Sequence, residues 1–159
     1  MHTHVPSEYI CPFCLVVAGV ENEHVWTTQR DVILRDDQIT AFIAAGWWPN
    51  NPGHVLIVPN QHFENIFDLP ITYAAAIHRA AQRIAVAMKQ AYGCDGISTL
   101  QHNEPGGGQD VWHYHLHVFP RYHNDRLYEL ISERRRTKPE ERAPYADQLR
   151  MALDRAAAT

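Results

Sequence analysis

Short apolar runs rich in β-branched and aromatic residues recur along the chain, each bounded by turn-forming residues, and this pattern predicts strands. The runs are Val32 to Arg35, Ile39 to Ala44, Val55 to Val58, Ile97 to Gln101 and Val111 to Phe119. Between the third and the fourth, Ile77, Ala81, Ile84 and Met88 fall on one stripe at helical spacing. Asp68 as cap, Pro70 just inside and Gly93 as stop complete the signature of one long helix. Beyond Asp125, the apolar positions Leu127, Leu130 and Ile131, then Leu149, Leu153 and a run of alanines, predict two C-terminal helices packed on the sheet or on a partner. Strands and helices in this order, without regular β-α alternation, predict an α+β fold with a mainly antiparallel five-stranded sheet. No internal repeat interrupts the chain, so one domain over residues 1–159 is expected.

Charge narrows the range of partners. With 18 acidic against 14 basic side chains and a net charge of -4, the chain has no overall positive field to hold long nucleic acid through its phosphates. A small anion in a locally positive pocket remains open. No segment approaches the roughly 18 apolar residues of a membrane span, and the N-terminus lacks a targeting pattern, so no membrane partner and a cytoplasmic location are expected. Three cysteines do not suggest a disulfide framework, and Cys94 reads as a small buried hydrophobe.

The most informative stretch is Val111-Trp112-His113-Tyr114-His115-Leu116-His117-Val118-Phe119, where histidine alternates with apolar residues at the strand period of two. One face would carry imidazoles and the other would be core. At a rise of ~3.3 Å per residue, the first and third imidazoles would stand about 13 Å apart, too far to share one metal ion comfortably. Just upstream, Asn103-Glu104-Pro105-Gly106-Gly107-Gly108-Gln109 supplies glycines whose backbone amides can line a nest for phosphate. Phosphate beside an unprotonated imidazole points to nucleophilic attack at phosphorus, with a phosphoramidate that water can later cleave.

Cys11-Pro12-Phe13-Cys14 has the spacing of half a tetrahedral zinc site, and histidines are the plentiful candidates for the other half. His113, at the end of the triplet away from His117, and His62, after the strand Val55 to Val58, are the proposed third and fourth ligands. A redox role for the pair competes with this, but no strand precedes Cys11 as a thioredoxin-like motif requires. Four protein ligands would make the zinc structural, with no open position for an activated water.

These motifs together resemble the histidine-triad (HIT) superfamily of nucleotide hydrolases and transferases. The resemblance rests on Cys11-x-x-Cys14, Pro52 through Pro59 followed by His62, Asn103 through Gln109, and His113-x-His115-x-His117 followed by Pro120-Arg121. It implies that His115 is the nucleophile on the α-phosphorus and His117 a hydrogen-bonding partner of the phosphate or leaving group. It further implies that Asn103, Gln109 and the backbone of Gly107 and Gly108 hold phosphoryl oxygens, with His54 behind them. Zinc-carrying members are similar at Cys11, Cys14, His62 and His113. The implied protein is a homodimer acting on a nucleotide or dinucleotide, with some similarity to the dinucleoside-polyphosphate hydrolase branch. The chain departs from the family pattern at Asp110, where relatives often have Ser or Thr, and after Phe42, where no acid is present to hold ribose. Trp47 or Trp48 could stack a base instead, and Arg134 to Arg136 read as a solvated helix face. Three rival readings stand beside hydrolysis: a dinucleoside-polyphosphate phosphorylase, a zinc-stabilised nucleotide-binding adaptor with little turnover, and a metal-storage module.

Overall fold

The computed structural model describes residues 3–158. Strands β1 (Val32–Arg35), β2 (Ile39–Ile43), β4 (Val55–Pro59), β5 (Gly96–Leu100) and β6 (Leu116–Arg121) form one antiparallel sheet in the order β1-β2-β4-β6-β5. Two-residue strands β3 (Gly46–Trp47) and β7 (Arg135–Arg136) pair separately. Helix α2 (Ile71–Tyr92) runs where its apolar stripe predicts, and ends on Gly93 in the left-handed conformation that a residue without Cβ adopts freely. Asp68 makes no capping bond, and Pro70 occupies the cap position itself.

Alternation along the strands divides the core in two. Ile39, Ala41, Ile43, Val55, Ile57, Leu116 and Val118 face α2 and helix α3 (Pro139–Ala157), meeting Ile77, Ile84, Met88 and Leu149. Each such fully buried Ile or Met contributes roughly 1.5–3 kcal/mol relative to exposure. The opposite face presents Phe42, Leu56 and Val58 to Phe13 and Val16 of a short helix, α1 (Pro12–Val17). Both faces are therefore covered, and the site lies on the α1 side.

Two expectations are corrected. The last strand starts at Leu116 rather than Val111, because residues 111–115 leave the ladder: Tyr114 N–H donates to Phe63 O at 2.6 Å and His113 N–H to Val111 O at 2.8 Å. The expected first C-terminal helix is a 3-10 turn (Ile131–Glu133) followed by β7, so there is one C-terminal helix and not two. Its start is broken by positive φ at Asn124 and Arg126, and by Asp125, whose carboxylate accepts from Arg121, Asn51 and the N–H groups of Tyr122 and Leu127.

Helix α3 is locked to the segment before β1 by a buried ion pair. Arg142 donates to both oxygens of Asp31 at 2.9 and 2.8 Å, to Thr137 O and to Trp26 O. Neither side chain is more than 1% exposed, so loss of one partner would strand the other charge. The turn before β4 depends on Gly53, at φ +76, where an added Cβ would lie 2.4 Å from Tyr145 Cδ1. Gly53→Ala is expected to cost roughly 1–3 kcal/mol, read as a melting temperature lower by several degrees with unchanged circular dichroism at room temperature.

Candidate active site

Helix α1 begins at the cysteine pair: Cys11 is its cap residue, its sulfur accepting from Cys14 N–H at 3.4 Å. That turn aims both thiols at the same point. Cys11 Sγ lies 3.3 Å and Cys14 Sγ 3.5 Å from His113 Nδ1, and Cys14 Sγ lies 3.3 Å from His62 Nδ1. All four ligand atoms fall within 4.8 Å of one another, an arrangement that could hold a metal ion. His113 Nε2 donates to Pro59 O at 3.0 Å, which fixes the tautomer and leaves Nδ1 as a lone pair facing the sulfurs. Contact with Cys14, opposed by burial and reinforced by His113 and His62, holds the Cys11 thiol far below its usual range. The same contact and burial push Cys14 up, while the hydrogen bond with Cys11 raises His62.

His115 and His117 diverge from His113. The expected row of three imidazoles on one strand is not what forms, since only His117 lies within β6. His115 Nδ1 sits 2.7 Å from His113 O; a carbonyl only accepts, so Nδ1 carries the proton and Nε2 is the free base. Its ring centroid is 5.0 Å from that of His117 and 5.2 Å from that of Phe13. His117 continues into a stack with Phe119, and His54 lies on Phe119 with ring centroids 4.3 Å apart. Burial, opposed by the bond to His113 O, lowers the pKa of His115; burial and then the neighbouring His115 lower that of His117. The three rings His54, His115 and His117 line a cavity of about 350 Å³. The lining also includes apolar Phe13, Val16, Val25, Trp26 and Leu56, polar His24 and Thr27, and the charged side chains of Asp110 and Arg134.

The glycine loop is not part of this lining. Gly107 N–H donates to Glu104 O, Gly108 N–H to Pro105 O at 3.0 Å and Gln109 N–H to Glu104 O, closing the 3-10 turn Pro105–Gly107. Gln109 spends its side-chain donors on Glu64 O and Val111 O, and Asn103 donates to Gln101 while accepting from Ile66 N–H. His102 links the loop to the site: its Nδ1 meets Gly107 O at 2.8 Å, and its ring lies 6.0 Å from that of His117.

Residues 27–124, more than half of the chain, match the HIT domain family. The chain belongs to the HIT family. Among HIT relatives, it is 31% identical over 112 residues to Protein hit of Bacillus subtilis, covering 70% of this chain and 71% of that one. It is 32% identical over 115 residues to bis(5'-adenosyl)-triphosphatase of Dictyostelium discoideum, covering 69% and 76%. The crystal structure of a Zn-bound histidine triad family protein from Mycobacterium smegmatis superposes with a TM-score of 0.76 at 28% identity, over 93% of this chain and 96% of that one.

Two residues beside the cavity, Arg134 and Trp26, lie outside the segment matched by the HIT domain and had no sequence signal. Arg134 is not on a helix face: it precedes β7, donates to Asp110 at 2.9 Å and lies over the Trp48 ring, 5.6 Å from its centroid. Asp110 is thereby paired with a cation. Trp26, half exposed, borders the cavity with Arg136 stacked on it at 4.4 Å. Of the two tryptophans considered for base stacking, Trp47 packs into the helix-side core against Tyr145, and only Trp48 reaches the cavity. Among the described residues, no helix is long and apolar enough to cross a membrane.

The buried imidazoles make stability depend on pH. Burial, then the charge of Arg134, pushes His54 from 6.5 down to about 3. Between those values the unfolded chain binds the proton that the folded chain refuses. The stability from neutral His54 is complete above the unfolded pKa and is lost as pH falls toward the folded one. The melting temperature should drop on acidification from pH 7 to 4, and drop less steeply in His54→Phe, where thermal scans at matched ionic strength give the slope.

Proposed function

We propose that this HIT protein cleaves nucleoside 5'-phosphate anhydrides, esters or amides at the α-phosphate through a nucleotidyl-His115 intermediate. One observation carries the reading: the Nδ1–H of His115 is committed to His113 O, so its unprotonated Nε2 is the atom available to attack a phosphorus bound in the cavity. In the first step, the Nε2 lone pair forms a P–N bond while the bond from phosphorus to the leaving group breaks, the leaving atom keeping the electron pair. In the second, water attacks the phosphoramidate, the P–N pair returns to Nε2, and the water protons pass to solvent and to the phosphate. His117, beside His115, hydrogen-bonds the phosphate or the leaving group, and His54 supports it from behind. Asn103, Gly107, Gly108 and Gln109 hold phosphoryl oxygens once substrate draws the N–H groups of Gly107, Gly108 and Gln109 from the turn and the Asn103 amide from Gln101. The activity named for the Dictyostelium relative, a dinucleoside triphosphatase, supports an anhydride as substrate.

Cys11, Cys14, His62 and His113 would hold zinc. A tetrahedron with Zn–S of ~2.3 Å and Zn–N of ~2.0 Å places sulfur and nitrogen about 3.5 Å apart, close to the spacings of 3.3 and 3.5 Å seen here. When bound, zinc would neutralise the thiolates and cross-link three segments of chain, and four protein ligands leave it structural. A homodimer completes the proposal. The adaptor reading rests on Asp110 and on the missing ribose acid, and the first of these carries less weight because Asp110 is charge-paired with Arg134 in this structure.

The test is mass spectrometry of protein quenched during turnover of a diadenosine polyphosphate or an adenosine phosphoramidate. A nucleotidyl group on His115 is expected; no adduct and no released product would move the assignment to a nucleotide-binding protein. Nucleoside diphosphate formed only when inorganic phosphate is present would identify a phosphorylase.

A further inference from the structure

Arg134 is the one permanent cation among the described residues lining the cavity, where buried histidines are kept neutral. Its placement is specific. An added Cβ on Gly46 would lie 3.3 Å from Arg134 Cδ and 3.5 Å from its Cγ, so the missing side chain at Gly46 makes the seat for the arginine stem. The guanidinium then lies over Trp48, which fixes its plane, and donates through Nη2 to Asp110. That pair is half exposed, with side chains 43% and 49% accessible, and an exposed pair of this kind contributes little to stability. A phosphate oxygen can therefore replace the Asp110 carboxylate at small cost, and a planar guanidinium suits phosphate better than a point charge does. Three further polar atoms of the site, His54 Nδ1, His117 Nδ1 and Trp48 Nε1, are buried without a hydrogen bond.

We propose that Arg134 binds the phosphoryl group bonded to the α-phosphate, taking it in place of Asp110. The site thereby selects nucleoside phosphoric anhydrides over nucleotides whose leaving group is uncharged. This rests on the reading of His115 given above and specifies its substrate class. Trp48, the ring beneath the guanidinium, lies 6.3 Å from the ring of His117, the imidazole assigned to the phosphate or leaving group, which places Arg134 on that side of the phosphorus that Nε2 attacks. When the P–O bond breaks, the departing phosphate keeps the electron pair, and the guanidinium faces the charge that develops there. Asp110 supplies the counter-charge while no anion is bound.

ADP and AMP are the probes, since they differ by the phosphoryl group in question. In calorimetric titrations, Arg134→Gln is expected to weaken ADP by roughly 10- to 100-fold and AMP by less than about threefold. Arg134→Lys should recover part of the ADP loss, and Asp110→Asn, by freeing the guanidinium, should tighten ADP selectively. In turnover, the Arg134→Gln loss in kcat/KM should fall on diadenosine triphosphate and spare adenosine 5'-phosphoramidate. Equal losses for ADP and AMP, or no loss for either, would overturn the role of Arg134. Such a result leaves the chemistry of His115 standing, which the adduct experiment judges separately.

Discussion

Alanine in place of His115 is expected to lower turnover of a diadenosine polyphosphate by roughly 10⁴-fold or more, the scale seen when a covalent nucleophile is removed. The size follows from what the residue supplies. Its Nδ1–H bond to His113 O at 2.7 Å orients the ring and defines Nε2 as the nucleophile, a commitment that His54 and His117 lack at Nδ1. His117 has an Nδ1 without a partner, so its ring is not held in one tautomer in the same way. Nucleotide binding should survive within about tenfold, because the cavity walls formed by Phe13, Val16, Trp26 and Leu56 remain. A variant that keeps its fold, binds nucleotide and still turns over at the parental rate would remove His115 from the mechanism.

Cys14→Ala is expected to release zinc and lower the melting temperature by about 10 °C or more, since metal binding free energy at a structural site is folding free energy. The ligands come from the start of α1, from the segment after β4 and from the approach to β6, so that ligands from different segments are 48 to 102 residues apart. Elemental analysis should find about one zinc per chain in the parent and much less in the variant. A parent chain that takes up no zinc even after reconstitution would remove the metal from the account. The same substitution should also slow turnover. His113 faces the cysteines through its ring and orients His115 through its carbonyl, so a loosened ring misplaces the nucleophile.

Much of this fold is legible in the sequence, for reasons that differ between elements. Helix α2 announces itself because Ile77, Ala81, Ile84 and Met88 recur at the helical period over a long window and Gly93 ends it. The metal cluster is readable because thiols with two residues between them have few other uses and the spacing of His113 keeps it clear of His117. The start of β6 is not readable. Alternating apolar residues describe any extended backbone, and what removes residues 111–115 from the ladder is a bond to Phe63, distant in sequence. Arg134 is hidden for a related reason: it reaches the cavity through a two-residue pairing between β3 and β7, too short to leave a periodic trace. Composition made a charged helix the natural reading of that stretch. Backbone torsion at Asn124 and Arg126 decided otherwise.

The clamp between Arg142 and Asp31 bears on how the protein can be handled. Residues 154–158 at the end of α3 are exposed, so a tag or fluorescent fusion attached there meets solvent rather than core. A deletion that reaches Arg142 is different in kind. The same guanidinium that neutralises Asp31 also holds Trp26 O, and Trp26 borders the cavity where substrate is proposed to sit. Shortening the chain to that point would loosen a wall built from its opposite end, and ligand affinity would report the damage.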